Sequence, residues 1–168
     1  MQSRRHFIRQ SAATLFAAPW VTTGMRAASP NGKLRHAAFG ASGMSWADMT
    51  SMSNHPMWEL VAVCDVDTSK FKKAQEKWPN IKVYQDWREL LEKESANIDS
   101  VNVSTPDHMH GSIGIAAIAK GKHVYGQKPL AHNLWECRQM VERARDKGVM
   151  TQMGIQISSD FSERLAVE

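Results

Sequence analysis

The chain has 168 residues and a formal net charge of +4, long enough to bury one full hydrophobic core or to be part of a larger protein. The charge sits at one end: residues 1–30 hold Arg4, Arg5, Arg9 and Arg26 and no acid, so the rest of the chain is electrically balanced. That distribution leaves no polybasic patch with interleaved aromatics and excludes nucleic acid as a partner.

The basic end follows its own pattern. Ser3-Arg4-Arg5-His6-Phe7-Ile8-Arg9 precedes a weakly apolar, small-residue segment from Ser11 to Val21 that is interrupted by Pro19. The segment is too short to span a bilayer as a permanent helix. It resembles a twin-arginine export signal, a route that carries folded proteins to the periplasm, with a basic disordered tail as the plainer alternative. The small-residue site near Ala27-Ala28 has Met25 or Arg26 where a small residue is wanted, which leaves open a retained leader acting as an anchor.

From Leu34 to Ala47 the residues predict strand, tight turn and helix. A short apolar run ends at Gly40, small residues follow, and Met44, Ala47 and Met49 resume with helical spacing. Gly40 holds the first place of a G-x-G-x-x-G turn, Ser42 and Ser45 stand at the second and third, and Gly43 offers backbone freedom one place later. A second apolar run, Leu60 to Cys64, stops at Asp65. Such a turn brings backbone N–H groups and a helix N-terminus to a pyrophosphate, and the acid accepts from ribose hydroxyls. A tight connection without a ligand is the alternative, and Asp67 competes with Asp65 as the exposed acid, which would leave Asp65 a helix cap.

Strand and helix then alternate. Thr68 to Trp78 predicts a helix broken by Pro79; Ile81 to Tyr84 a short extended piece; Asp86 to Glu89 a helix opening on a capping box. Ile98 to Ser104 alternates as a strand closed by Pro106, and Ser112 to Lys120 is an apolar helix ended by Gly121. His123 to Tyr125 is a strand, Leu134, Cys137, Val141 and Ala144 mark the apolar face of a helix stopping before Gly148, and Val149 to Met153 is a fifth strand. The expected fold is α/β: a Rossmann-type, doubly wound parallel sheet with helices on both faces, filling residues 31–155. Cys64 and Cys137 are expected to be packing thiols rather than a disulfide. Residues 156–168 end in the opening of a helix, which suggests a connection to a further domain and a truncated chain.

In this architecture a ligand lies beyond the carboxyl ends of the strands. Two motifs fall there: Thr105-Pro106-Asp107-His108-Met109-His110 and Gly126-Gln127-Lys128-Pro129-Leu130. Together with the Gly40 turn and Asp65, they resemble the Gfo/Idh/MocA oxidoreductases, the group of glucose-fructose oxidoreductase and inositol 2-dehydrogenase, over residues 33–168. The resemblance implies a Rossmann domain binding NAD, or NADP in its place, followed by an open-faced α/β domain that holds a sugar- or polyol-like substrate. It implies Lys128 as the catalytic lysine beside the substrate hydroxyl, and Gly40, Ser42, Gly43, Met44, Asp65, Thr105, Pro106, His110, Gln127 and Lys128 as cofactor-binding residues. It also implies a homo-oligomer for the whole protein. Gln127 departs from the acid that the family carries at that place, which bears on the proton relay. The Asp65 carboxylate favours a free 2′-hydroxyl over a 2′-phosphate, hence NAD over NADP.

His108 and His110 form an H-x-H pair without further ligands near them in sequence, and Met44, Met49, Met52 and Met57 read as packing, so no metal site is expected. The family's general base belongs to the second domain, so the chain alone is expected to bind nucleotide and turn over little. Two other classes stay in view: a non-catalytic nucleotide-binding or interaction module, and a carbohydrate-binding protein without affinity for NADH.

Overall fold

The computed structural model describes residues 32–155. The twin-arginine leader and the segment 156–168 lie outside the described residues.

Six parallel strands form one sheet: β1 (Leu34–Phe39), β2 (Trp58–Cys64), β3 (Lys82–Tyr84), β4 (Ser100–Val103), β5 (His123–Gln127) and β6 (Thr151–Gly154). Their order is β3-β2-β1-β4-β5-β6, so the chain winds one way from β1 and the other way from β4. The helices are α1 (Gly43–Met52), α2 (Phe71–Lys77), α3 (Trp87–Glu94), α4 (His110–Ala119) and α5 (Leu134–Lys147). Because β1 is covered on both faces and both edges, it must be small and apolar: Ala37, Ala38 and Phe39 are wholly buried. Successive residues serve opposite cores. Ala37, Phe39, Val101 and Val103 meet Leu90, Leu91, Ile113, Ile118 and Met140 of α3 to α5, while Ala38, Leu60 and Val63 meet Met49, Phe71 and Ala74 of α1 and α2.

The structure adjusts four expectations. Lys82–Tyr84 is a full member of the sheet, paired with Ala62 to Cys64, so the last strand is the sixth rather than the fifth. Helix α4 begins at His110, after a 3-10 turn over Asp107–Met109, two residues earlier than expected. On α5 the packed face is carried by Met140 and Ala144, while Leu134 and Val141 are exposed. The cause is the close approach of α4: a Cβ on Gly114 would stand 2.8 Å from Met140 Cε, so Met140 sets the rotation of the helix. Finally, Asp86 caps α3 by accepting from Arg88 N–H, while Glu89, the expected other half of a capping box, pairs with Lys93.

Register aligns the ends that matter. Phe39 lies opposite Cys64 and Val103, and Val103 opposite Gly126. Gly40 N–H donates to the Cys64 carbonyl and Ser104 N–H to the Phe39 carbonyl. The residues following β1, β2, β4 and β5 therefore share one edge.

Candidate dinucleotide site

At that edge, Gly40 takes a φ of 106° and a Cβ there would come within 2.8 Å of the Ser104 carbonyl oxygen. Only glycine meets both conditions at once. Ala41 N–H donates to Asp65 Oδ2 at 2.8 Å, and Asp65 Oδ1 accepts from Asp67 N–H at 3.0 Å. Asp65 thus joins the end of β2 to the turn after β1 and keeps lone pairs for further donors. Asp67 is the helix cap: it accepts from the N–H and hydroxyl of Ser69. Of the two acids, Asp65 is the one that lines a cavity.

That cavity holds about 790 Å³ and crosses the ends of β2, β1 and β4; Gly40, Ser42, Asp65, Arg88, Thr105 and Pro106 contribute walls. Ser42 is the N-cap residue of α1 and its side chain makes no capping bond, so the N-terminal N–H groups of a ten-residue helix point at the same edge. Gly43 has a φ of 56° and supplies the first residue of α1 without lining the cavity. Arg88 stacks on Trp87 with its guanidinium 4.6 Å from the ring centroid, and both residues line the cavity's far wall; the sequence offered no sign of either as a site residue.

A second, smaller cavity of about 150 Å³ is lined by Met44, Ser104, Thr105, Asp107, His110, Gln127 and Lys128. Ser104 and Thr105 belong to both cavities. Thr105 Oγ1 is buried there with no hydrogen-bond partner among the described residues, a cost that a ligand hydroxyl would relieve. His110 is buried, and its ring nitrogens stand 2.6 Å from the Pro129 carbonyl and 2.7 Å from the Thr105 carbonyl. These contacts brace the two loops against each other, and His110 is at the same time a wall of the small cavity. Lys128 is exposed at the mouth of the small cavity.

Beneath both cavities runs a polar chain, partly exposed at Asp48 and Ser104 and buried from there to His36, that the sequence reading missed. Asp48 Oδ2 accepts from the Ser104 hydroxyl at 2.6 Å, and both Asp48 oxygens lie 3.0 Å from Gln127 Nε2. Asn102 Nδ2 donates to Ser104 Oγ and to Ser45 Oγ, and the Ser45 hydroxyl donates to the Gly40 carbonyl. Asn102 Oδ1 faces His36 Nε2 at 3.1 Å, and His36 Nδ1 faces Ser100 Oγ at 2.7 Å. Every direction is forced. Carboxylate and carbonyl only accept, so Ser104 and Ser45 must spend their protons on them and accept from Asn102. Its Oδ1 then takes the proton of His36 Nε2, and Nδ1 accepts from Ser100. Burial drives the His36 pKa down to about 4, against the bond to Asn102, so the ring is neutral at physiological pH.

Ser45, at the third glycine's place, is therefore a buried tie and not a failed glycine. The alternating polar residues Ser100, Asn102 and Ser104 belong to this chain, and β4 (Ser100–Val103) is buried along its whole length. An asparagine inside an apolar strand was the one available signal.

Both cysteines are free. Burial, and after it the charges of Asp65, Asp86 and Glu89, push the Cys64 thiol up to about 12, so it packs as a neutral side chain. Among the described residues, no three His, Cys, Asp or Glu side chains gather as a metal site, and no helix is long and apolar enough to cross a membrane.

A parallel sheet in this order, with a glycine turn at the reversal of winding and an acid at the end of the neighbouring strand β2, defines a dinucleotide-binding α/β domain. Residues 34–155 match the family described as oxidoreductase family, NAD-binding Rossmann fold (GFO_IDH_MocA), and the chain belongs to that family. Its NAD-binding domain is the part described here. Levoglucosan dehydrogenase of Pseudarthrobacter phenanthrenivorans is 37% identical over 65 residues, 39% of this chain and 16% of that protein. Myo-inositol 2-dehydrogenase of Thermotoga maritima is 33% identical over 91 residues, 54% of this chain and 27% of that protein. The WlbA dehydrogenase of Bordetella pertussis, solved with NADH and UDP-GlcNAcA, superposes with a TM-score of 0.72 at 22% identity, covering 80% of this chain and 40% of that one; this likeness is one of fold. The chain thus spans less than a third of these two curated relatives.

Proposed function

We propose that this domain serves an NAD-dependent dehydrogenase that moves a hydride between the nicotinamide and a sugar or polyol. The observation that carries this reading is the meeting of the two cavities at Thr105, whose buried hydroxyl has no partner among the described residues. The large cavity offers Asp65 for ribose hydroxyls and the α1 N-terminus for the pyrophosphate. The small one offers Lys128, whose ammonium would donate to a substrate oxygen and favour its developing negative charge. NAD, when bound, supplies the hydride acceptor. Substrates of this class are supported by the names of the two relatives, which act on an anhydrosugar and an inositol.

The Asp65 carboxylate supports NAD over NADP. Export by the twin-arginine route is supported by Ser3 to Arg9, and it would suit a protein that acquires its nucleotide before leaving the cytoplasm. Homo-oligomer formation by the whole protein rests on the family resemblance alone.

The test is a titration of the chain with NADH and NADPH, followed by nicotinamide fluorescence. Saturable binding with NADH the tighter ligand is expected. Absence of binding to both by the folded chain would overturn the reading.

A further inference from the structure

Gln127 and Asp48 define a polarity at the Lys128 cavity that the dinucleotide reading does not by itself contain. Asp48 is on α1, one turn beyond Met44, and its carboxylate collects the Ser104 hydroxyl and the Gln127 amide. Because a carboxylate only accepts, the Gln127 amide must turn its Nε2 inward, and the end it has left to offer is the acceptor Oε1. Gln127 is buried and is a wall of the cavity with Lys128. The pairing also accounts for an amide at this position: a glutamate facing Asp48 at 3.0 Å would set two carboxylates against each other.

We propose that Asp48 is a positioning residue that locks Gln127 with Oε1 as a hydrogen-bond acceptor for a primary carboxamide N–H, that of the bound nicotinamide. The proposal rests on the dinucleotide reading and adds to it the orientation of the nicotinamide ring. Lys128 as donor and Gln127 as acceptor would then stand side by side in sequence with opposite hydrogen-bonding sense, one for substrate oxygen and one for cofactor amide.

The proposal makes an inversion testable. In Asp48→Asn, residue 48 must accept from Ser104 with its oxygen, so it presents N–H₂ to Gln127. The Gln127 amide then turns its oxygen inward and its N–H₂ outward. In the double variant Asp48→Asn/Gln127→Glu, the carboxylate at 127 accepts from residue 48 with one oxygen and keeps the other for the cavity, so the acceptor returns. Three probes read this: NADH; reduced 3-acetylpyridine adenine dinucleotide, which lacks the amide N–H; and ADP-ribose, which lacks the ring. Competition calorimetry on the full chain should show NADH preferred over the acetylpyridine analogue by about fivefold. The preference should fall to below about twofold in Asp48→Asn and return in the double variant, with ADP-ribose affinity steady throughout. An unchanged preference in Asp48→Asn, no return in the double variant, or a parallel loss of ADP-ribose affinity would each overturn the proposal, the last by showing Asp48 to be only a brace of α1. A wild-type chain that binds ADP-ribose but does not discriminate the two dinucleotides overturns this proposal alone. One that binds no nucleotide overturns the cofactor reading with it.

Discussion

Gly40 and Ser104 touch backbone to backbone at the point where the winding of the sheet reverses. A Cβ on Gly40 would lie 2.8 Å from the Ser104 carbonyl oxygen and 3.0 Å from Ser45 Cβ. The same Ser104 sends its hydroxyl to Asp48, so a displacement at Gly40 reaches both the turn and the polar chain below it. Gly40→Ala should therefore cost about 1–3 kcal/mol from the strained φ alone, more with the clash, and weaken NADH at least about tenfold. Thermal melting and NADH titration of the variant check both effects.

Asp65 is expected to matter for affinity and for choice of cofactor. Its carboxylate holds the Ala41 N–H and faces the large cavity. Removing it in Asp65→Ala should weaken NADH about tenfold while changing NADPH less, because a 2′-phosphate gains by losing a neighbouring negative charge. Parallel titrations give the ratio, and equal losses for the two nucleotides would remove Asp65 from the ribose site.

Acid should loosen the domain in two separate steps. The folded pKa of His36 lies near 4, below its ordinary value of about 6.5, so the unfolded chain takes up the proton first. The associated stability is fully present above about pH 6.5 and falls as pH drops toward 4, by up to about 1.4 kcal/mol per unit. Melting temperature followed from pH 7 to pH 4.5 should fall in wild type and fall less steeply in His36→Gln.

The second step belongs to Glu94. Burial works to raise its pKa, yet the hydrogen bonds from Lys82, Tyr84 and Asn97 outweigh it and hold the group below the usual carboxylate range. A depressed carboxylate contributes stability above its unfolded pKa and loses it as pH falls through the folded one, so this loss begins below about pH 4.5. Burial, then the same carboxylate, push Tyr84 up to about 12. Glu94→Gln should cost about 1–3 kcal/mol in denaturant unfolding and leave NADH affinity within about twofold, since this cluster lies outside both cavities.

What the sequence disclosed followed from local chemistry. Apolar runs ended by Gly40, Asp65 and Thr105-Pro106 mark strand ends because parallel strands are buried on both faces and ligands gather past their carboxyl termini. Those signals placed every strand but β3, and the Gly40, Asp65, Thr105 and Pro106 walls of the large cavity. Asp48 could not be found this way: on α1 it reads as a solvent-facing acid, and its partners Ser104 and Gln127 are 56 and 79 residues distant. Trp87 and Arg88 come to the cavity only because α3 begins beside the end of β2. The face of α5 was misread because Leu134 and Val141 fit the helical period as well as Met140 does, and only the approach of α4 decides among them.

The most direct measurement is a map of NADH contacts by amide chemical shifts in a ¹⁵N-labelled chain. The account predicts that saturating NADH moves the amides of Gly40 to Met44, Asp65 and Thr105, together with the Gln127 side-chain amide, and leaves the far ends of the strands near Leu34 and His123 in place. Shifts confined to those far ends, or none at all in a folded chain, would contradict it.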